Sequence, residues 1–130
     1  GYERLDVYEA FAARVEESKR SLLTFLIDAK RRGATVAGYG APGKANTLLN
    51  YCGVGEDFLD YTVDRNLMKQ GTFLPGTRIP VYPPDMLGET KPDYILILPW
   101  NLKKEISEQL EYTREWGAKL LVPIPEVEFV

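Results

Sequence analysis

The sequence predicts an α/β fold, in which a mainly parallel sheet lies between two layers of helices and is preceded by a long N-terminal helix. Three observations support this prediction. Short β-type runs alternate with helical patterns, as they do when crossover helices join parallel strands. Two of these runs are followed at once by a turn and a helix. Residues 94–98 are apolar throughout, which is typical of a parallel strand with both faces buried.

The N-terminal part of the chain has the pattern of an amphipathic helix. From residue 6 to residue 32, apolar side chains recur near helical spacing, with charged residues between them. The basic last turn suits the negative pole of a helix, and Gly33 is a natural stop. Residues 34–39 then read as a strand, and residues 45–51 read as a helix that is closed by Gly53.

The second half of the chain repeats this alternation. Residues 58–64 are predicted to be the second strand, and residues 65–84, which are rich in Gly, Pro and polar residues, to be mostly loop. A helix over residues 102–116 and a last strand over residues 119–123 follow the apolar strand. One face of that helix carries Ile106, Leu110 and Thr113. The complete order predicts a Rossmann-like three-layer αβα sandwich.

Composition limits the size and the partners of the protein. With 130 residues and 45% hydrophobic content, residues 1–130 are expected to form a single domain. The formal net charge of −3 is dispersed, which argues against nucleic acid or an anionic membrane as a partner. No apolar run approaches the roughly 20 residues that span a bilayer. The N-terminus lacks a signal-peptide pattern, so we expect a cytoplasmic protein.

Cysteine and histidine content narrows the chemistry. The lone Cys52 excludes an internal disulfide framework, and the absence of histidine removes the usual zinc clusters, so no metal site is predicted. Cys52 lies near the end of a predicted helix and is interpreted as a core residue. No catalytic residue is predicted, because no carboxylates form a recognisable acid/base pair. The chain opens without methionine in helix-forming sequence, so we expect a piece of a longer protein.

The most informative local pattern is G-x-G-x-x-G at Gly38, Gly40 and Gly43, between a predicted strand and a predicted helix. Glycines permit positive φ and let the backbone, here including Ala41, approach an anion. The start of the next helix adds free N–H groups and the positive end of a dipole. Lys44 would add a charge beside a phosphate. The pattern therefore favours a phosphate-binding loop.

The first turn of the following helix offers neutral hydrogen bonds from Asn46 or Thr47 to the same phosphate. In the alternative interpretation, the glycines only permit a tight turn from strand to helix, and Lys44 is solvated.

Asp64 ends the predicted second strand about twenty residues after Gly43, where a dinucleotide fold places a carboxylate that accepts hydrogen bonds from ribose. Because Arg65 and Asn66 follow, Asp64 equally fits a residue that caps a turn or pairs with Arg65. The loop with Asn66 and Lys69 lies at the carboxyl side of the sheet, where open α/β folds bind ligands. It either contacts ligand or is a solvated surface loop.

Trp100 and Asn101 follow the most apolar strand and are expected at the same sheet edge as the glycine loop. Trp100 either stacks on a base or sugar or packs against the sheet edge, and the second role is favoured. Asn101 is a good N-cap residue, and that role alone would account for it.

Several segments after the first helix stand in a recognisable order: GYGAPGKANTLLNYCG at residues 38–53, VDRN at 63–66, KQG at 69–71, LPGT at 74–77, PDYILILPWN at 92–101 and VPIP at 122–125. Together they resemble the C-terminal domain of the sugar C-methyltransferases. These enzymes use S-adenosylmethionine to methylate a carbon of nucleotide-linked deoxy-keto sugars.

The resemblance implies a small zinc module and a central methyltransferase domain before this one, with the sugar between the central and C-terminal domains. S-adenosylmethionine and zinc are therefore expected elsewhere in the enzyme, and this chain is expected to hold no cofactor. It is expected to pack on the methyltransferase domain and not to be catalytic alone. The family's histidine and tyrosine acid/base residues have no positions in this chain.

The resulting hypothesis is that backbone amides from Gly40 to Lys44 hold the diphosphate of a nucleotide sugar, while residues 64–66 and 100–101 border the sugar or base. Two alternatives stay open. G-x-G-x-x-G and Asp64 would also suit an NAD-type domain of an oxidoreductase. The fold would also serve as a scaffold that binds no nucleotide and only packs on the central domain.

Overall fold

A computed structural model describes the backbone of residues 2–130 and the side chains of residues 10 and 12–130. It has four α-helices, namely α1 (Tyr2–Arg31), α2 (Gly43–Cys52), α3 (Met86–Thr90) and α4 (Lys103–Gln109). The six strands are β1 (Val36–Tyr39), β2 (Thr62–Val63), β3 (Val81–Tyr82), β4 (Tyr94–Ile97), β5 (Lys119–Val122) and β6 (Glu128–Phe129). Two 3₁₀ segments, Trp100–Leu102 and Glu111–Trp116, flank α4.

The strands form one sheet in the order β3-β2-β1-β4-β5-β6. All neighbouring pairs are parallel except β5 with β6, which is antiparallel. The chain runs from β1 outward through β2 and β3, and then returns to place β4 on the other side of β1. This reversal makes the carboxyl ends of β1 and β4 the switch point, where open α/β sheets bind ligands.

Helices cover both faces of the sheet, which confirms the predicted Rossmann-like three-layer sandwich. On one face, Leu22, Leu26 and Ala29 of α1 and Leu49 of α2 pack against strand residues such as Leu96. On the other face, residues including Ile97, Leu87, Ile106 and Leu110 form a second core cluster. β4 is buried along its whole length, as its apolar run predicts.

Several predicted boundaries are wrong. The second strand is only Thr62–Val63, because the N–H groups of Phe58 and Leu59 donate to Gly55 O and form a turn. The predicted helix over residues 102–116 changes to 3₁₀ geometry after Gln109, although Ile106, Leu110 and Thr113 are buried as expected.

The predicted role of Asn101 is also wrong. Asn101 lies exposed inside a 3₁₀ turn, and Leu102 occupies the N-cap position of α4 without a side-chain cap.

Cys52, in contrast, is 5% exposed as predicted, and burial raises the pKa of its thiol. Among the helices described, none is both long and apolar enough to cross a membrane.

Candidate functional site

Gly38 and Gly40 are required by the packing of the protein itself. A Cβ added to Gly38 would lie 2.8 Å from Thr62 Oγ1. Gly40 has φ +95°, and its Cβ would lie 2.6 Å from Pro99 Cδ at the end of the neighbouring strand. Its N–H donates to Val63 O at 2.6 Å, and its carbonyl accepts from Thr62 Oγ1 at 2.6 Å. The Gly40 N–H therefore already donates to an acceptor inside the protein, and the prediction that it donates to a phosphate is wrong.

Gly43 differs, because nothing inside the described protein requires a glycine there. It begins α2, and an added Cβ would meet no atom within 4 Å. The residue before it, Pro42, offers no side-chain cap to the helix. In the part of the chain that the structure describes, the amides of Ala41, Gly43 and Lys44 have no acceptor. These amides form an uncapped donor row at the carboxyl edge of the sheet, which suits an anion.

The lysines near this row have different roles. Lys44 is exposed, and no carboxylate among the described residues pairs with it. Lys69 is half-buried and donates from Nζ to Ala41 O at 2.9 Å. It thus links the loop after β2 to the glycine loop, whereas Lys44 makes no ion pair with a described residue.

Asn46 and Thr47 occupy the first turn of α2. Thr47 Oγ1 donates to Gly43 O at 3.1 Å, so its hydroxyl hydrogen is used inside the helix. Asn46 Oδ1 is buried and has no hydrogen-bond partner among the described residues. An unpaired buried acceptor is costly, and no described residue satisfies Asn46 Oδ1.

The segment after β2 forms a series of tight turns. Asp64 Oδ1 accepts from the Asn66 amide at 2.8 Å, and Asn66 Oδ1 accepts from the Met68 amide at 2.9 Å. Gln70 Nε2 donates to Asp64 O at 2.8 Å. The turn-capping interpretation of Asp64 is thus observed for one carboxylate oxygen. Arg65 contacts Gln109 Oε1 at 3.5 Å, and no Asp64–Arg65 ion pair occurs among the described residues.

A cavity of about 570 Å³ lies beside the donor row, between α1, α2 and the segment after β5. Its walls include Lys44, Thr47, Leu48 and Tyr51 from one face of α2, and Trp100 from the turn after β4. Arg14, Val15 and Ser18 of α1, together with Ile124 and Pro125, complete the lining. The volume falls within the roughly 300–1,000 Å³ of small-molecule sites.

A smaller cavity of about 200 Å³ lies among Tyr39, Arg65, Gln109 and Tyr112. Tyr39 Oη donates to Gln109 Oε1 at 3.3 Å. Burial raises the pKa values of Tyr39 and Tyr112, so both phenols stay protonated at neutral pH. Within the described residues, no group of three His, Cys, Asp or Glu side chains could hold a metal.

The sequence identified only part of this site. Lys44 and Trp100 line the large cavity, whereas Asn101 and the glycines of the loop are absent from its lining. Arg14, Ser18, Tyr51 and Pro125 were not anticipated, because the cavity joins segments far apart in sequence. The helical spacing of Lys44, Thr47 and Tyr51 was a usable signal, since those positions share one face of α2.

The sheet order and the glycine loop at its switch point define a Rossmann-like α/β domain with the geometry of a ligand-binding edge. Residues 1–125 match the family profile of the C-methyltransferase C-terminal domain. The chain therefore belongs to the C-methyltransferase C-terminal domain family.

Two further comparisons concern a curated relative and the fold. The chain is 40% identical over 119 residues to the C-methyltransferase NovU of Streptomyces niveus, covering 92% of this chain and 28% of that protein. The chain thus spans less than a third of the length of this relative. The fold is also similar to UDP-D-quinovosamine 4-dehydrogenase from Vibrio fischeri, with a TM-score of 0.53 and 20% identity. That match covers 75% of this chain and 93% of the other, and it concerns the fold alone.

Proposed function

We propose that this chain is the substrate-binding domain of a methyltransferase that acts on a nucleotide-linked deoxy-keto sugar, and that it holds the nucleotide diphosphate. The observation that carries this proposal is the uncapped start of α2. Gly43 leaves open space there, the amides of Ala41, Gly43 and Lys44 have no acceptor among the described residues, and an exposed lysine side chain stands beside them.

The charges of this arrangement suit a diphosphate. An anion at the start of a helix gains from the N–H donors and from the positive end of the dipole, each contact contributing about 0.3–1 kcal/mol at an exposed site. The Lys44 ammonium adds a charge-assisted hydrogen bond to one phosphate oxygen. The overall formal charge of the chain is −3, so the anion has to be held by this local set of donors.

In this proposal, methyl transfer takes place in another part of the enzyme, and residues 1–130 act as a single domain that positions the substrate. S-adenosylmethionine and zinc are assigned to those other parts. Binding energy from the diphosphate would orient the sugar carbon for attack on the methyl group, which contributes to catalysis by positioning. The protein is proposed to be cytoplasmic and to pack on the methyltransferase domain. Membership of the C-methyltransferase family and the similarity to NovU support this division of roles.

Isothermal titration of the full-length natural protein with thymidine diphosphate and with NADH tests the proposal. We expect thymidine diphosphate to bind, and Lys44→Ala to weaken that binding about tenfold, which corresponds to about 1.4 kcal/mol. Glu56→Ala, at an exposed position outside the site, is the control and should bind normally.

Each contrary result identifies a different alternative. Binding of NADH without a response to the diphosphate would support an NAD-type domain. The absence of binding by either compound, together with an unchanged Lys44→Ala enzyme, would support a scaffold that binds no nucleotide.

A further inference from the structure

We infer that the cavity between α1 and α2 holds the nucleoside of the bound nucleotide, with its base against Trp100 and Tyr51. This inference rests on the proposed function, because it assumes that the diphosphate lies at the start of α2. It also specifies how the ligand is oriented. The ligand extends from the donor row into the cavity and away from the loop that contains Asp64.

The position of the cavity provides the first argument. Lys44, in the first turn of α2, belongs both to the donor row and to the cavity wall. Thr47 and Tyr51 continue the same wall along one face of the helix. From Lys44 to Tyr51 the helix rises by about 10 Å, which gives a nucleoside room beyond the phosphates. A ligand whose phosphates bind these amides therefore extends along α2 into the cavity.

The chemistry of the wall distinguishes a nucleoside from a sugar. Ser18 Oγ donates to Pro125 O, and Thr47 Oγ1 donates to Gly43 O, so the hydroxyl hydrogens of these two wall residues are used, and the Tyr51 phenol is the third hydroxyl of the wall. A hexose needs many polar partners, whereas the flat face of a base needs an aromatic surface. Trp100 and Tyr51 provide such surfaces, and the other walls are largely aliphatic. The cavity therefore suits a base better than a hexose.

Tyr51 provides an independent argument. Its side chain is 47% exposed although it is large and partly apolar, and Lys19 lies over its ring at 5.0 Å from the centroid. This cation holds the ring in place, which reduces the entropy lost when a ligand packs against it. Arg14, on the α1 side of the same cavity, adds a second cation that favours an anionic ligand.

Fluorescence of the Trp116→Phe variant of the chain tests this inference. Residues 1–130 contain two tryptophans, Trp100 and Trp116, so Trp100 is the one that remains in this variant. We expect thymidine diphosphate to quench Trp100 and inorganic pyrophosphate to bind without quenching. Tyr51→Ala should weaken thymidine diphosphate about 10- to 100-fold, the range of a lost base–aromatic contact, and leave pyrophosphate unchanged.

Tyr112→Ala is a matched control, since Tyr112 is 46% exposed and lies at the smaller cavity. This variant should bind both compounds normally. Pyrophosphate binding with no quenching by thymidine diphosphate, and with no effect of Tyr51→Ala, would overturn the inference and leave the proposed function standing. The failure of both compounds to bind would overturn the proposed function itself.

Discussion

Gly40 and Gly43 belong to the same loop and the same sequence motif, yet the structure gives them different reasons to be glycine. Gly40 has φ +95°, an added Cβ there would clash with Pro99, and residues of β2 bond both its amide and its carbonyl. Gly43 begins a helix and faces open space. Alanine would restrict the unfolded chain more than glycine does, and no contact with a described residue requires glycine at this position. The comparison separates a glycine needed for folding from one that leaves room for a ligand.

The largest expected effect comes from Gly40→Ala. The new Cβ would lie 2.6 Å from Pro99 Cδ, and the residue would have to keep φ +95°. Backbone strain and overpacking of about 1–3 kcal/mol each act together, so we expect the free energy of unfolding to fall by about 3 kcal/mol. Urea denaturation measures this loss.

Gly53→Ala is a matched control, because Gly53 has φ +71° but nothing within 4 Å of an added Cβ. It should lose only the part that is due to backbone strain, about 1 kcal/mol. Equal losses in the two variants would show that the contact with Pro99 does not matter.

A smaller effect is expected from Lys69→Met, which keeps the aliphatic stem but removes the donor to Ala41 O. A half-buried, charge-assisted hydrogen bond contributes about 1 kcal/mol, so the free energy of unfolding should fall by about that amount. Lys103→Met removes an exposed ion pair with Glu128 and should cost about 0.5 kcal/mol or less. If both lysine variants are equally stable in urea, Lys69 does not hold the glycine loop.

The sequence predicted the fold well because its main elements are defined locally. The apolar run at residues 94–98 and the unit of strand, glycine loop and helix at residues 34–53 both appear as expected. β3 and β6 have two residues each, too few for a periodic pattern, and they form only because neighbouring strands provide hydrogen-bond partners.

The site was less predictable for a similar reason. G-x-G-x-x-G marked the correct loop, but spacing does not show that Pro99 fills the space beside Gly40 while Gly43 faces outward. The large cavity brings α1 and Pro125 together across most of the chain, and no local pattern encodes that contact. Trp100 was expected to pack against the sheet edge, and it both does so and lines the cavity.

Gly43→Ala, measured for stability and for pyrophosphate binding on the same sample, tests the central claim most directly. We expect the free energy of unfolding to rise by about 0.4–1 kcal/mol, because alanine restricts the unfolded chain and favours the helix. The affinity for pyrophosphate should fall about fivefold or more, because the new methyl group occupies the space in front of the donor amides. A more stable variant with weaker binding is the predicted result. Unchanged affinity would contradict the assignment of this helix start as the phosphate site.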